Sequence, residues 1–171
     1  NTKPKKLENL YLSSPPKYDN IDTVLSEIKE LSIKDTTDKE IAELIAKENI
    51  VCLFSGRAEA GPRALGNRSI LFDPRVLDGK AVVNKVKGRE WFRPFAGSVL
   101  KEYAKEWFDL VGMDESPFMM YAVDVLEDKK ELIPSISHVD HTCRIQTVTK
   151  DQNKNYYNLI KAFHEKTGVP I

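Results

Sequence analysis

At 171 residues, with 41% hydrophobic and 30% charged side chains, the chain has enough apolar material for one domain with a real core and too little for two. No apolar run approaches the ~20 residues that span a bilayer, and the first residues show no signal-peptide pattern, so a cytoplasmic setting without membrane contact is expected. Net charge is zero, and the two cysteines, Cys52 and Cys143, fit neither a disulfide framework nor a metal-ligand spacing.

In chain order, residues 1–18 hold lysines and prolines without periodicity, as a linker leading into a domain over 19–171 would. Ile21, Val24, Leu25, Ile28 and Leu31 fall on one helical face, with Asn20 as N-cap. Residues 37–40 match the S/T-x-x-E capping box, and Ile41, Leu44 and Ile45 continue that helix to about Glu48. Residues 49–55 are short, apolar and bounded by Gly56, the pattern of a buried strand. A second strand is expected over 69–73, stopped by Pro74, then a helix over 76–86 that Gly79 weakens. Residues 95–100 predict a strand, and 101–110 a helix with Tyr103, Trp107 and Phe108 inward. Residues 118–125 give the strongest strand pattern, and 144–149 alternate as a half-buried strand should. The last helix covers 153–167, with Tyr156, Leu159, Ile160 and Phe163 on one face, and stops at Gly168. Strands alternating with helices give an α/β class, with room for antiparallel pairs. Asn at the start and Gly168-Val169-Pro170 leading out of a helix at the end predict a piece of a longer polypeptide.

The charge is uneven. Residues 56–94 contain nine basic side chains (Arg57, Arg63, Arg68, Arg75, Lys80, Lys85, Lys87, Arg89, Arg93) and four acidic ones, so this stretch carries +5 and the rest −5. A local basic segment in a neutral chain points to an anionic ligand held in one place, and speaks against a surface that coats nucleic acid. Its first part, GRAEAGPRALGNRS over 56–69, puts three glycines, a proline and three arginines between two strands. Glycines let amides approach an anion, and arginine forks match phosphate oxygens. Arg57, Arg63 and Arg68 either touch phosphate or lock the loop. Gly56 and Gly61 have P-loop spacing, but Pro62 and Arg63 stand where Lys and Ser/Thr are required, so this is no Walker A motif. Downstream, Lys85, Lys87, Arg89 and Arg93 interleave with Trp91, Phe92 and Phe95, which fits base stacking or a core-anchored loop presenting cations to a triphosphate; Pro94 favours the fixed small-molecule site. In residues 137–146, His138, Asp140, His141 and Cys143 lack a second ligand pair for zinc. On a strand Cys143 and Arg144 point to opposite faces; Arg144 is expected toward the ligand, Cys143 into packing. His138, in the same loop, is the candidate active-site histidine.

At these residues the chain resembles the O-carbamoyltransferase family that includes nodulation-factor and antibiotic-tailoring enzymes. GRAEAGPRALGNRSIL, the DPR at 73–75, REWFRPFAGSVL, MYAVDV, HVD, T-x-R-I-Q-T-V and FHEKTGVPI match its C-terminal signatures in order, over roughly two-thirds of the chain. The resemblance implies a YrdC-like twisted mixed sheet flanked by helices in a single domain. It implies that carbamoyl phosphate and ATP, accompanied by Mg²⁺, are converted to carbamoyl-adenylate. An N-terminal actin/hexokinase-like domain of the same polypeptide then passes the carbamoyl group to an acceptor hydroxyl. Lys87, Arg89 and Arg93 are placed around carbamoyl phosphate and the ATP phosphates, with Arg144 as a further clamp and His138 positioning a reacting group. Where the family carries Gly and then Thr-Ala after HVD, this chain has His141 and Thr142-Cys143, expected to narrow the pocket or shift the backbone. The chain stops before the family's Leu-Leu-Asn-Thr-Ser-Phe-Asn run, so weak binding or inactivity in isolation is expected. Two rival readings are a threonylcarbamoyl-adenylate synthase for tRNA modification, against which the GPRALGNRS loop argues, and a non-catalytic binding module.

Overall fold

In the computed structural model, which describes residues 7–17 and 19–171, the order is α1 (Ile21–Glu27), α2 (Asp38–Ala46), β1 (Val51–Cys52), β2 (Ile70–Leu71), α3 (Gly79–Val86), β3 (Ala96–Leu100), α4 (Ala104–Trp107), β4 (Phe108–Asp109), β5 (Ala122–Val125), β6 (Thr142–Val148) and α5 (Lys154–Thr167). Four strands make a mixed sheet in the order β3-β6-β5-β4, with β3 and β6 parallel and the other pairs antiparallel. Val99, Leu100, Phe108, Val123, Val125, Ile145 and Val148 are its buried apolar side chains. Against it lies α5, which also packs on α2, so Leu159 and Phe163 share a core with Ala42 and Ile45. Burying each such side chain contributes about 1.5–3 kcal/mol, which is what docks the helix. The result is one α/β domain, a mixed sheet flanked by helices. Among the described residues no helix is long and apolar enough to cross a membrane.

The helix signals that are local held. Thr37 accepts the Glu40 amide at 3.3 Å while Glu40 accepts the Thr37 amide at 2.9 Å, so the capping box opens α2. Asn153 caps α5, Gly168 ends it at φ 77°, and Tyr156, Leu159, Ile160 and Phe163 are all buried. Gly79 begins α3 instead of weakening it. A Cβ there would lie 2.2 Å from Ser135 Oγ and 2.9 Å from the Phe72 ring.

Four expectations need correction. The first helix stops at Glu27, Asn20 makes no side-chain cap, and Ile21, Val24, Ile28 and Leu31 stay exposed. Periodicity marked an apolar face, but no core reaches it. Residues 49–55 are not a buried strand. β1 pairs antiparallel with β2 in a separate two-stranded ribbon, Cys52 and Phe54 are exposed, and the ladder runs on through Leu53 N–H to Ser69 O and Ser55 N–H to Asn67 O. The expected helix over 101–110 divides into a 3₁₀ turn at Lys101–Tyr103, α4 and β4, since Phe108 turns extended to pair with Val125. The strand expected over 118–125 shortens to β5 because Met119 takes a left-handed φ of 53°. Of the leading segment, residues 1–6 and 18 lie outside the described residues. Its residues 10–13 run beside the glycine-rich loop, where Ala60 N–H donates to Leu10 O and Ala58 N–H to Ser13 Oγ, each at 2.7 Å.

Candidate functional site

The β1–β2 ribbon is the stem of the loop over residues 56–69. Gly61 and Gly66 take φ of 101° and 112°, a region side chains avoid. At Gly66 a Cβ would fall 2.3 Å from the Tyr156 ring, so only glycine lets the loop lie on α5. Three of the loop amides are taken up within the chain: Leu65 and Asn67 N–H each donate to Glu59 Oε1 at 2.8 Å, and Arg68 N–H at 3.3 Å. Around them Tyr11 Oη–H and Gln146 Nε2–H donate to Leu65 O at 2.7 and 3.0 Å, and Asn153 Nδ2–H donates to Asn67 Oδ1 at 2.9 Å. Arg68 is the loop's lock: its Nη1 donates to Ser55 O at 2.8 Å and to Asn67 O at 2.7 Å, and its guanidinium stacks 3.7 Å from the Phe54 ring centre.

Beneath the loop, between β3 and α5, lies a cleft of about 350 Å³. Arg63, Arg68, Lys87, Arg89 and Arg144 line it together with apolar side chains that include Leu159, Phe163 and Ile171; none of its described lining residues is acidic. Arg89 is held in place, its Nε donating to Asn84 Oδ1 and its guanidinium 4.5 Å from the Phe95 ring centre. Fully buried Asn84 in turn donates to the carbonyls of Trp91 and Arg93, both at 2.9 Å. Burial, and then Arg93, pushes the Arg89 pKa down. Arg144 comes from β6, and its Nε is buried without a hydrogen-bond partner. Burial lowers its pKa first, and Arg63 and Arg89 lower it further. Two of the cleft's cations, Arg89 and Arg144, thus have their pKa values pushed down, with no acidic side chain among the described lining residues.

Of the residues singled out in the sequence, Arg63, Arg68, Lys87, Arg89 and Arg144 converge on the cleft. Arg57, Arg93 and His138 do not line it. Arg93 pairs with Glu90 at 2.6 Å in solvent, and Arg57 offers only its carbonyl, which accepts from Asn67 Nδ2 at 2.8 Å. His138 spends both ring nitrogens on the protein, 3.1 Å from Thr142 Oγ1 and 3.1 Å from Phe95 O, tying the turn before β6 to the start of β3. His141, where glycine was expected, takes the left-handed φ of 64° itself, supported by Asp140 Oδ1, which accepts the Thr142 amide at 3.1 Å. The backbone keeps a conformation that suits glycine, at about 1–2 kcal/mol of local strain. Sequence reasoning missed Glu59, Asn84 and Tyr156, whose roles rest on turn geometry. It also passed over Arg75, which chelates buried Asp73 through Nε at 2.9 Å and Nη2 at 2.6 Å.

The alternation on β6 falls as expected: Cys143 is fully buried while Arg144 lines the cleft. Burial pushes the Cys143 thiol up to about 12, so at pH 8 it carries almost no thiolate. Ellman's reagent should therefore titrate one thiol of the folded protein, Cys52, which is exposed, and both only after denaturation. Two fast thiols in the native state would contradict this packing.

Residues 42–171 match the family described as carbamoyltransferase C-terminus. The chain is 48% identical over 139 residues, 80% of its length, to nodulation protein NolNO of Sinorhizobium fredii. It is 45% identical over the same length to nodulation protein NolO of Bradyrhizobium diazoefficiens. Over 132 residues, 77% of its length, it is 35% identical to nodulation protein U of Rhizobium tropici. It spans 20%, 25% and 23% of the lengths of these three relatives. With residues 42–171, most of its length, inside the match, the chain belongs to the carbamoyltransferase C-terminus family.

Proposed function

We propose that this domain binds carbamoyl phosphate and Mg-ATP in the arginine-lined cleft and joins them as carbamoyl-adenylate. A separate actin/hexokinase-like domain of the same polypeptide then transfers the carbamoyl group to an acceptor hydroxyl. The observation that carries this reading is the lining itself: among the described residues, five cationic side chains, no acidic one, and apolar side chains beside them. Two polyanions repel each other, and fixed guanidinium groups offset both that repulsion and the charge that develops on phosphoryl oxygens during transfer. The balance is carbamoyl phosphate, ATP and one water giving carbamoyl-adenylate, phosphate and pyrophosphate. In this reading Mg²⁺ accompanies ATP as part of the nucleotide substrate. The need for ATP places the reaction in the cytoplasm.

Pyrophosphate release by the full-length protein from Mg-ATP, without acceptor, tests this. The expected result is release that requires carbamoyl phosphate. Release that requires bicarbonate and threonine instead would move the protein to the threonylcarbamoyl-adenylate reaction, and silence in both would leave a binding module.

A further inference from the structure

We propose that Glu59 is a positioning residue of this domain, its carboxylate filling the anion nest of the glycine-rich loop and so holding the Arg63 arm at the cleft. The observation is the convergence of three amides, from Leu65, Asn67 and Arg68, on one oxygen of Glu59. Amides that point side by side at one spot repel each other unless an anion stands there. Phosphate-binding loops leave that place to the ligand. Here the chain supplies the anion six residues before the first donor. The turn between the donors is the strained one, with Gly66 at φ 112°, so the carboxylate offsets both the dipole repulsion and the tight turn.

Two consequences bear on the cleft, and they rest on its reading as a phosphate site. The nest is closed to substrate, and of the loop's cationic side chains Arg63 is the one left to reach phosphate directly, since Arg68 donates to the carbonyls of Ser55, Gly56 and Asn67. The charge of Glu59 is also absorbed by amides, not by arginines. The segment that contributes two of the five cationic side chains thus contains a carboxylate that neutralises neither. Glu59 touches no substrate in this arrangement and acts through the loop alone.

The test uses the full-length protein with Glu59→Ala and Glu59→Gln, and two readouts. The first is limited trypsin cleavage after Arg63 and Arg68 in the folded protein. Glu59→Ala should be cut about tenfold faster than wild type, Glu59→Gln at an intermediate rate because it keeps the acceptor oxygen, and added formate should slow the alanine variant by refilling the nest. The second is binding of inorganic pyrophosphate, which Glu59→Ala should weaken about tenfold and formate should restore. Cleavage of Glu59→Ala at the wild-type rate would overturn the proposal. So would equal, formate-insensitive cleavage of both variants, which is what a mere packing defect gives, or undiminished pyrophosphate binding by Glu59→Ala. Absence of pyrophosphate binding by the wild type would instead sink the reading of the cleft, while the cleavage readout still decides whether Glu59 holds the loop.

Discussion

Replacing Arg144 with methionine will weaken pyrophosphate binding by the full-length protein about 10- to 100-fold, as loss of a charge-assisted hydrogen bond worth roughly 1.5–3 kcal/mol requires. The thermal midpoint of the same variant will stay level or rise. Most arginines that reach a buried site are tied down by a carboxylate, and removing them costs stability. Arg144 has a buried Nε with no hydrogen-bond partner, and burial, Arg63 and Arg89 all push its pKa down. A base whose folded-state pKa is lowered is one whose cation the fold disfavours, so removing the charge relieves the folded state. The side chain is only partly buried, which keeps the expected gain to about 1 kcal/mol, below the upper range for replaced buried ions. Binding and melting are therefore expected to move in opposite directions. A variant that loses several degrees of melting temperature and keeps its affinity would show that Arg144 is structural.

Gly66→Ala is expected to be the most damaging methyl group that can be added near the site. Two independent penalties coincide: φ is 112°, and the new Cβ would stand 2.3 Å from Cδ1 of Tyr156, whose ring is buried between the loop and α5. Left-handed or mirror-β backbone costs a non-glycine residue about 1–3 kcal/mol, and overpacking about 1–3 kcal/mol more. Together these should lower the melting temperature by roughly 5–20 °C for a domain of this size. Tyr156 also lines the cleft, so the surviving folded protein should bind pyrophosphate poorly. Combining Gly66→Ala with Tyr156→Ala separates the penalties. The double variant should recover part of the loss relative to the sum of the two single changes, because the clash goes and the backbone strain stays. Strict additivity would mean that the ring is not the obstacle.

The parts of this molecule that could be read from sequence are those decided within one turn of helix or one repeat of strand. The buried face and the Gly168 stop of α5 are such features, and so is the opposite facing of Cys143 and Arg144 on β6. The excess of basic over acidic side chains from residue 56 to 94 marked a cationic segment, because its four carboxylates are too few to pair with nine basic groups. What stayed hidden was set by partners far along the chain. An apolar face at Ile21, Val24 and Ile28 says where a core would attach, not that one is there. The run at 49–55 has the same composition whether both faces are covered or one. His138 lies six residues from Arg144 in sequence, yet its ring turns to the Phe95 carbonyl, a contact across 43 positions. Glu59 went unnoticed because its partners are main-chain amides, which carry no mark in a sequence.

The absence of carboxylates among the described lining residues also bears on turnover. Guanidinium groups do not distinguish one phosphate oxyanion from another, so under the reaction proposed above the same contacts would serve the reactants and the pyrophosphate that leaves. Inorganic phosphate and sulfate compete there as well, and rising salt weakens all of them, since the attraction is screened over about 8 Å at physiological ionic strength. Under that proposal capture would be easy and departure slow, and a pyrophosphatase that keeps the product scarce would become part of the working rate.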